Sequence, residues 1–185
     1  MLNLIIKSKV FRISAVVIII LFNIGCDQIS KNMVREKVRY FERISLIDQV
    51  LTLTKVENTG AFLGFGSEFP PAIKKVAFTI LPATVLLISI FLLFSKFSLN
   101  VYSIVGFGFM IGGGMGNVFD RIKYSSVTDF LHLDFGIVST GIFNMADVSI
   151  MFGIVLMAIP HLRRERVMEE DTVPGVAPTQ DVDDV

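Results

Sequence analysis

Residues 101–159 read VYSIVGFGFMIGGGMGNVF (101–119), DRIKYSSVTDFLHLDFGIVST (120–140) and GIFNMADVSIMFGIVLMAI (141–159). Two apolar segments flank a short polar loop. Asp120, Asp129, Asp134 and Asp147 lie in that loop or at its edges. A carboxylate at the border of hydrocarbon is costly and asks for a functional reason. This stretch sets two expectations. The chain crosses a membrane twice here, and Asp129 and Asp147 form a catalytic pair.

The rest of the composition agrees with a membrane setting. The 185 residues are 52% hydrophobic and 18% charged, with mean hydropathy +0.67, outside the range of ordinary soluble domains. The formal net charge is zero, so no nucleic-acid partner is expected. Cys26 is the single cysteine and cannot close an internal disulfide. With His132 and His161 far apart in sequence, no metal-ligand pattern emerges, and none is expected. A phosphate-binding glycine loop and a fixed-period repeat are both absent from the sequence.

Outward from residues 101–159, two further apolar segments appear. Ala77 to Phe94 carries no charge and is long enough for a span, with Pro82 expected to kink it. Ile13 to Cys26 follows a basic head of Lys7, Lys9 and Arg12; extended through Ile29 it reaches about 17 residues, just enough to cross. The same start has a second reading, a lipoprotein signal peptide cut before Cys26, although Asn23 stands where an apolar residue is usual. The expected spans are thus about 12–29, 77–94, 101–119 and 142–160. Residues 34–74 are expected to form a small β-rich cradle on the membrane surface. There Leu51-Thr52-Leu53-Thr54-Lys55-Val56 alternates as a half-exposed strand should, Glu57 to Phe62 signals a turn, and Phe62, Leu63, Phe65 and Phe69 are expected to be exposed apolar side chains. Residues 1–166 make one membrane domain. Residues 167–185 form an acidic tail expected to be disordered. Four spans place both termini on one side. The basic ends favour the cytoplasm, yet the outer segments carry ten Lys and Arg against seven inside, so charge counting does not settle orientation.

Each polar motif carries a plain reading beside a functional one. Gly108, Gly112 and Gly116 line one helix face and allow a neighbouring helix close. Asn144 and Asp147 share a helix face; they read equally as an N-cap pair and as one half of an acid dyad. Asp120 and Arg121 read as an ion pair or hydrogen-bond anchor, since a guanidinium can hold a carboxylate or a backbone carbonyl. Asp27 and Lys31, four apart, read as a helix-end salt bridge at a wet surface. His132 and Asp134 compete with Asp129 as site residues. Two acids sharing a proton suit amide hydrolysis, because one takes a proton from water while the other donates to the carbonyl. A non-enzymatic membrane scaffold and a proton-coupled transporter are the rival classes; the transporter lacks an internal repeat.

Four motifs in order now carry a resemblance: Asp27-Gln28-Ile29-Ser30-Lys31; Asn58-Thr59-Gly60-Ala61-Phe62; Gly116 to Arg121 followed by Val127-Thr128-Asp129-Phe130; and Phe143-Asn144-Met145-Ala146-Asp147. Over roughly residues 20–160 the chain resembles lipoprotein signal peptidase, signal peptidase II. The resemblance implies a membrane all-α bundle of four transmembrane helices with an extracytoplasmic β-rich cradle between the first two spans. It implies a bacterial inner-membrane aspartyl endopeptidase, without cofactor or metal, that cuts prolipoproteins just before a diacylglyceryl-modified cysteine. Both termini would be cytoplasmic, the active site near the extracytoplasmic face, and the enzyme a monomer among membrane lipids. The family dyad falls on Asp129 and Asp147. Supporting or substrate-binding roles fall on Asp27, Lys31, Asn58, Gly60, Asn117, Asp120, Arg121 and Asn144. Three features depart from the family pattern: no Trp is present, His132 follows the dyad motif, and the acidic tail is extra.

Overall fold

The computed structural model describes residues 9–48, 50–95 and 99–170, with side chains omitted at 9–11, 62 and 161–170. Helix α1 (Lys9–Lys37) leads into strands β1 (Ile44–Ile47) and β2 (Leu51–Asn58). A 3-10 turn (Phe62–Gly64) precedes α2 (Pro71–Ser95). Then come α3 (Val101–Tyr124), β3 (Val127–Asp134), β4 (Ser139–Phe143) and α4 (Met145–Glu170).

Helices α1, α2 and α3 are each long and apolar enough to cross a membrane, and Met145–Pro160 of α4 is a shorter apolar helix. Helix α2 opens with Pro71 in its first turn, where the missing N–H costs nothing. Its α-helical pattern widens to a π turn over Val76–Ile80, immediately before the turn that holds Pro82. Pro82 has no N–H to give and its ring crowds the preceding turn, so the expected disturbance takes the form of a π turn. Asn100 caps α3 by accepting from the Ser103 N–H at 2.8 Å.

Small residues decide how the helices meet. A Cβ at Gly108 would approach Ile19 of α1, one at Gly112 would meet the Asn23 Cβ, and one at Gly116 would collide with the Asp27 carboxylate. The glycine face is thus where α1 lies against α3, which lets polar groups of α1 enter the site. Below it, Val16, Leu93, Ile104 and Ile111 form an apolar cluster. Arg12 reaches across to donate to the Leu93 carbonyl at 3.2 Å, tying the start of α1 to the end of α2.

The sheet corrects the expected cradle. It is a four-stranded antiparallel sheet in the order β1-β2-β3-β4, and half of it comes from residues 127–143 rather than from 34–74. What reads as a polar loop between spans is a hairpin turned at Asp134, where the side chain accepts from the Gly136 N–H at 2.8 Å. Several boundaries move with it. Helix α1 continues to Lys37, because Val34 and Val38 bury against Phe130 of β3 in a second apolar cluster. Helix α3 runs to Tyr124, and α4 begins at Met145 because residues 139–143 belong to β4. The expected disordered tail lies outside the described residues from 171 onward; residues 167–170 continue α4.

Candidate active site

The strand pleat sorts the site chemistry onto two faces. Val56 pairs with Asp129 and Asn58 with Val127, so Asn58 and Asp129 share one face; Glu57 pairs with Thr128 on the other. The first face looks into a cavity of about 560 Å³. Asn58, Asn117, Arg121, Asp129, Asn144 and Asp147 form its polar end, and Leu63, Phe65, Phe78, Leu81 and Pro82 line its apolar walls.

Asp147 stands in the first turn of α4. The Asn144 side-chain oxygen accepts from the Asp147 N–H at 3.1 Å, and Asp147 Oδ2 accepts from the Asn144 N–H at 3.1 Å. This is a reciprocal helix cap. Asn144 Nδ2 also donates to Asp129 Oδ1 at 2.6 Å. The cap and the acid pair are therefore one arrangement, with Asn144 bridging the two acids.

Both carboxylates are held by amides. Asp129 Oδ2 accepts from Asn58 Nδ2 at 2.9 Å, and Asp147 Oδ1 accepts from Asn117 Nδ2 at 2.9 Å. Each asparagine is oriented by a donor at its other end: the Gly60 N–H on Asn58, Lys31 Nζ on Asn117 and the Asp147 N–H on Asn144. The amide N–H therefore has to face the acid. Burial pushes the Asp129 carboxyl up to about 6, helped by the charge of Asp147; the hydrogen bonds from Asn58 and Asn144 and the charge of Lys31 pull the other way. A raised, dyad-like carboxyl in a cavity is the mark of proton-transfer work.

Beneath the dyad is a second acidic pair, neutralised by cations. Asp27, Lys31 and Asp120 are completely buried. Lys31 Nζ lies 2.8 Å from Asp27 and 3.2 Å from Asp120, and Arg35 lies 2.8 Å from Asp120. The expected wet helix-end bridge between Asp27 and Lys31 is thus corrected. The glycine face of α3 covers it, and Asp27 Oδ1 also accepts from the Ala146 N–H at 3.0 Å at the start of α4. Asp120 pairs with Lys31 and Arg35 rather than with its neighbour Arg121. Arg121 instead donates to the Gly60 carbonyl at 2.7 Å. That bond holds the turn carrying Asn58. Gly60 is required there, since a Cβ would fall 2.5 Å from the Phe65 carbonyl oxygen.

All ten site residues named from the sequence fall in this one region. His132 does not join them: it pairs with Thr52 and Ile142 in the sheet, and Asp134 is engaged in its own hairpin. Among the described residues no three His, Cys, Asp or Glu side chains gather as a metal's ligand set. Sequence reasoning missed Gln28, Arg35, Glu57 and Thr128. Gln28 donates to Asp120 and to the Gly116 carbonyl. Arg35 Nε donates to the Thr128 hydroxyl at 2.8 Å, which donates to Glu57 at 2.8 Å. The signal for Arg35 was its position, one turn beyond Lys31 and two beyond Asp27 on one helix face.

Comparison with known proteins gives the family and the fold. The family model for Signal peptidase (SPase) II matches residues 18–163. The chain is 36% identical over 154 residues to the lipoprotein signal peptidase of Halothermothrix orenii, covering 82% of this chain and 98% of that one. It is 34% identical to the enzyme of Maridesulfovibrio salexigens (72% and 85% covered) and 29% identical to that of Streptococcus pneumoniae (81% and 94%). Two solved bacterial membrane enzymes share the fold. One has TM-score 0.74 and 22% identity, covering 89% of this chain and 95% of that one; the other has TM-score 0.69 and 24% identity, covering 82% and 94%. A match of this extent, spanning all four motifs and both halves of the sheet, places the chain in the signal peptidase II family of bacterial membrane peptidases.

Proposed function

We propose that this chain removes the signal peptide from prolipoproteins as an aspartyl endopeptidase, cutting immediately before a diacylglyceryl-modified cysteine. The observation that carries the reading is the pair of acids bridged by Asn144 at the polar end of one apolar-walled cavity. The pair shares one proton, and burial favours its residence on Asp129. Asp147, as general base, takes a proton from water as the water oxygen bonds to the scissile carbonyl carbon. Asp129 gives its proton to the carbonyl oxygen. The tetrahedral diol collapses as Asp147 passes its proton to the departing amine nitrogen, a diol hydroxyl returns a proton to Asp129, and the C–N bond breaks. The apolar walls take the signal peptide's side chains and the lipid chains beside them. Arg121 and Asn58 hold the turn that frames the cut.

The remaining topology follows the same reading. Helices α1, α2 and α3 cross the bacterial inner membrane, and Met145–Pro160 makes the fourth crossing. Both termini are cytoplasmic, and the sheet, the dyad and Gly60 lie at the extracytoplasmic face. The enzyme acts as a monomer without metal or cofactor, and the sheet with the 3-10 turn moves to admit substrate. The test is a gel-shift assay on the purified chain with a diacylglyceryl-modified prolipoprotein, with chelator present. Cleavage by wild type and none by Asp129→Asn or Asp147→Asn is expected. Full activity in either variant would sink the dyad.

A further inference from the structure

Arg121 closes the polar end of the dyad cavity, and its far side lines a second cavity of about 570 Å³. Three separate segments build this second space. Thr59 comes from the turn after β2, Lys74, Lys75 and Thr79 from the start of α2, and Arg121 and Ser125 from the end of α3. Three cations and three hydroxyls converge there, and no carboxylate lines the cavity. The charges are not consumed elsewhere. Lys74 spends one donor on the Ser67 carbonyl at 3.1 Å and has two left. Arg121 spends one on Gly60, though its charge also faces Asp129 and Asp147. The Lys75 side chain forms no hydrogen bond or ion pair among the described residues. Lys31 and Arg35, by contrast, are neutralised by buried acids.

Position selects the anion. Lys75 directly precedes the charge-free run 76–94, so the ring of donors stands where hydrocarbon gives way to head groups. Beside it Val76 is 56%, Ile80 50% and Ile122 71% exposed, an apolar surface leading down from the cations. A diester phosphate accepts from ammonium, guanidinium and hydroxyl donors together, and acyl chains would lie along those three side chains. We propose that this cavity binds the phosphate of an anionic membrane lipid, a site separate from the dyad and sharing only Arg121 with it.

The test is binding, so it stands apart from the peptidase reading. The purified full chain in detergent micelles is titrated with phosphatidylglycerol, with diacylglycerol of the same acyl chains, and with inorganic phosphate, and occupancy is read by native mass spectrometry. One phosphatidylglycerol per chain is expected, with a Kd at least tenfold weaker for Lys74→Gln/Lys75→Gln and for diacylglycerol on wild type. Equal affinity in that double variant overturns the site. So does an equal loss in the control Lys37→Gln/Arg39→Gln, which removes two exposed charges elsewhere. Diacylglycerol binding as tightly as phosphatidylglycerol overturns the role of phosphate, and inorganic phosphate binding as tightly overturns the lipid as its source.

Discussion

Two pairs of aspartates lie one above the other in this protein, and their surroundings differ in kind. Asp27 and Asp120 are held by Lys31 and Arg35. Asp129 and Asp147 are held by Asn58, Asn117 and Asn144 and by the Asn144 backbone. A cation beside a buried carboxylate supplies a counter-charge and fixes its position. An amide orients a carboxylate without supplying a charge, so burial and the neighbouring acid can keep a proton on the pair. The lower pair is a clamp of opposite charges, and the upper pair is held without a counter-charge in hydrogen-bond contact. Lys31 couples them, since it binds Asp27 and also the Asn117 oxygen, aiming Asn117 at Asp147.

The largest effect should come from the upper pair. Asp129→Asn and Asp147→Asn are each expected to lower prolipoprotein cleavage by more than about 10³-fold, within the span of general acid–base catalysis. The thermal midpoint of Asp129→Asn should stay at or above wild type, because it removes a buried acid. A large loss of folding in both would mean that the upper pair is also a clamp. The lower pair should behave the other way. Lys31→Met leaves two buried carboxylates short of a counter-charge and is expected to cost about 3–5 kcal/mol in denaturant unfolding in detergent. Wild-type stability in that variant would erase the distinction.

Asn58→Ala sharpens the comparison, since it removes a bond that favours ionised Asp129. A hydrogen bond to a charged group is worth about 1.5–3 kcal/mol, so cleavage should fall roughly tenfold to a hundredfold, with the alkaline limb of its pH profile moved up. An unmoved profile would show that Asn58 does not act through Asp129. The smallest effect is on stability against pH. Asp129 keeps its proton to about 6 when folded, against 3.8 for an ordinary carboxyl, so the folded state binds more protons between those values. Its contribution is present below about 4 and lost as pH rises through about 6. The thermal midpoint should fall across that window in wild type, and the fall should flatten in Asp129→Asn.

Much of this was legible in residue order. The apolar segments followed from length and charge, and the ten residues that the family resemblance singles out come together in one region of the fold. The strands of residues 127–143 were not legible, because Val127-Thr128-Asp129-Phe130-Leu131 does not alternate apolar with polar residues; its first four residues are buried on both faces. The Asp27–Lys31 pair shows the other failure. Spacing of four gives a pair on a helix, and nothing local tells whether that pair is wet or dry. The partner of Arg121 was open for the same reason, since a guanidinium accepts any oxygen that the fold brings near.

The sequence by itself determined that the chain is built on long apolar helices and that polar groups cluster at one end of them; the pairing of Asp129 with Asp147 entered as what the family resemblance implies. Periodicity, hydropathy and motif order are properties of neighbours along the chain, so they survive without coordinates. Only the tertiary structure decided which acids are clamped by cations and which are held by amides. That depends on the close approach of α1 to the glycine face of α3, which seals Lys31 between Asp27 and Asp120. It depends equally on the β2–β3 register, which puts Asn58 beside Asp129 and sends Glu57 and Thr128 to the opposite face. Burial and cross-strand pairing are relations between distant residues, and it is burial that sets whether a carboxylate keeps its proton.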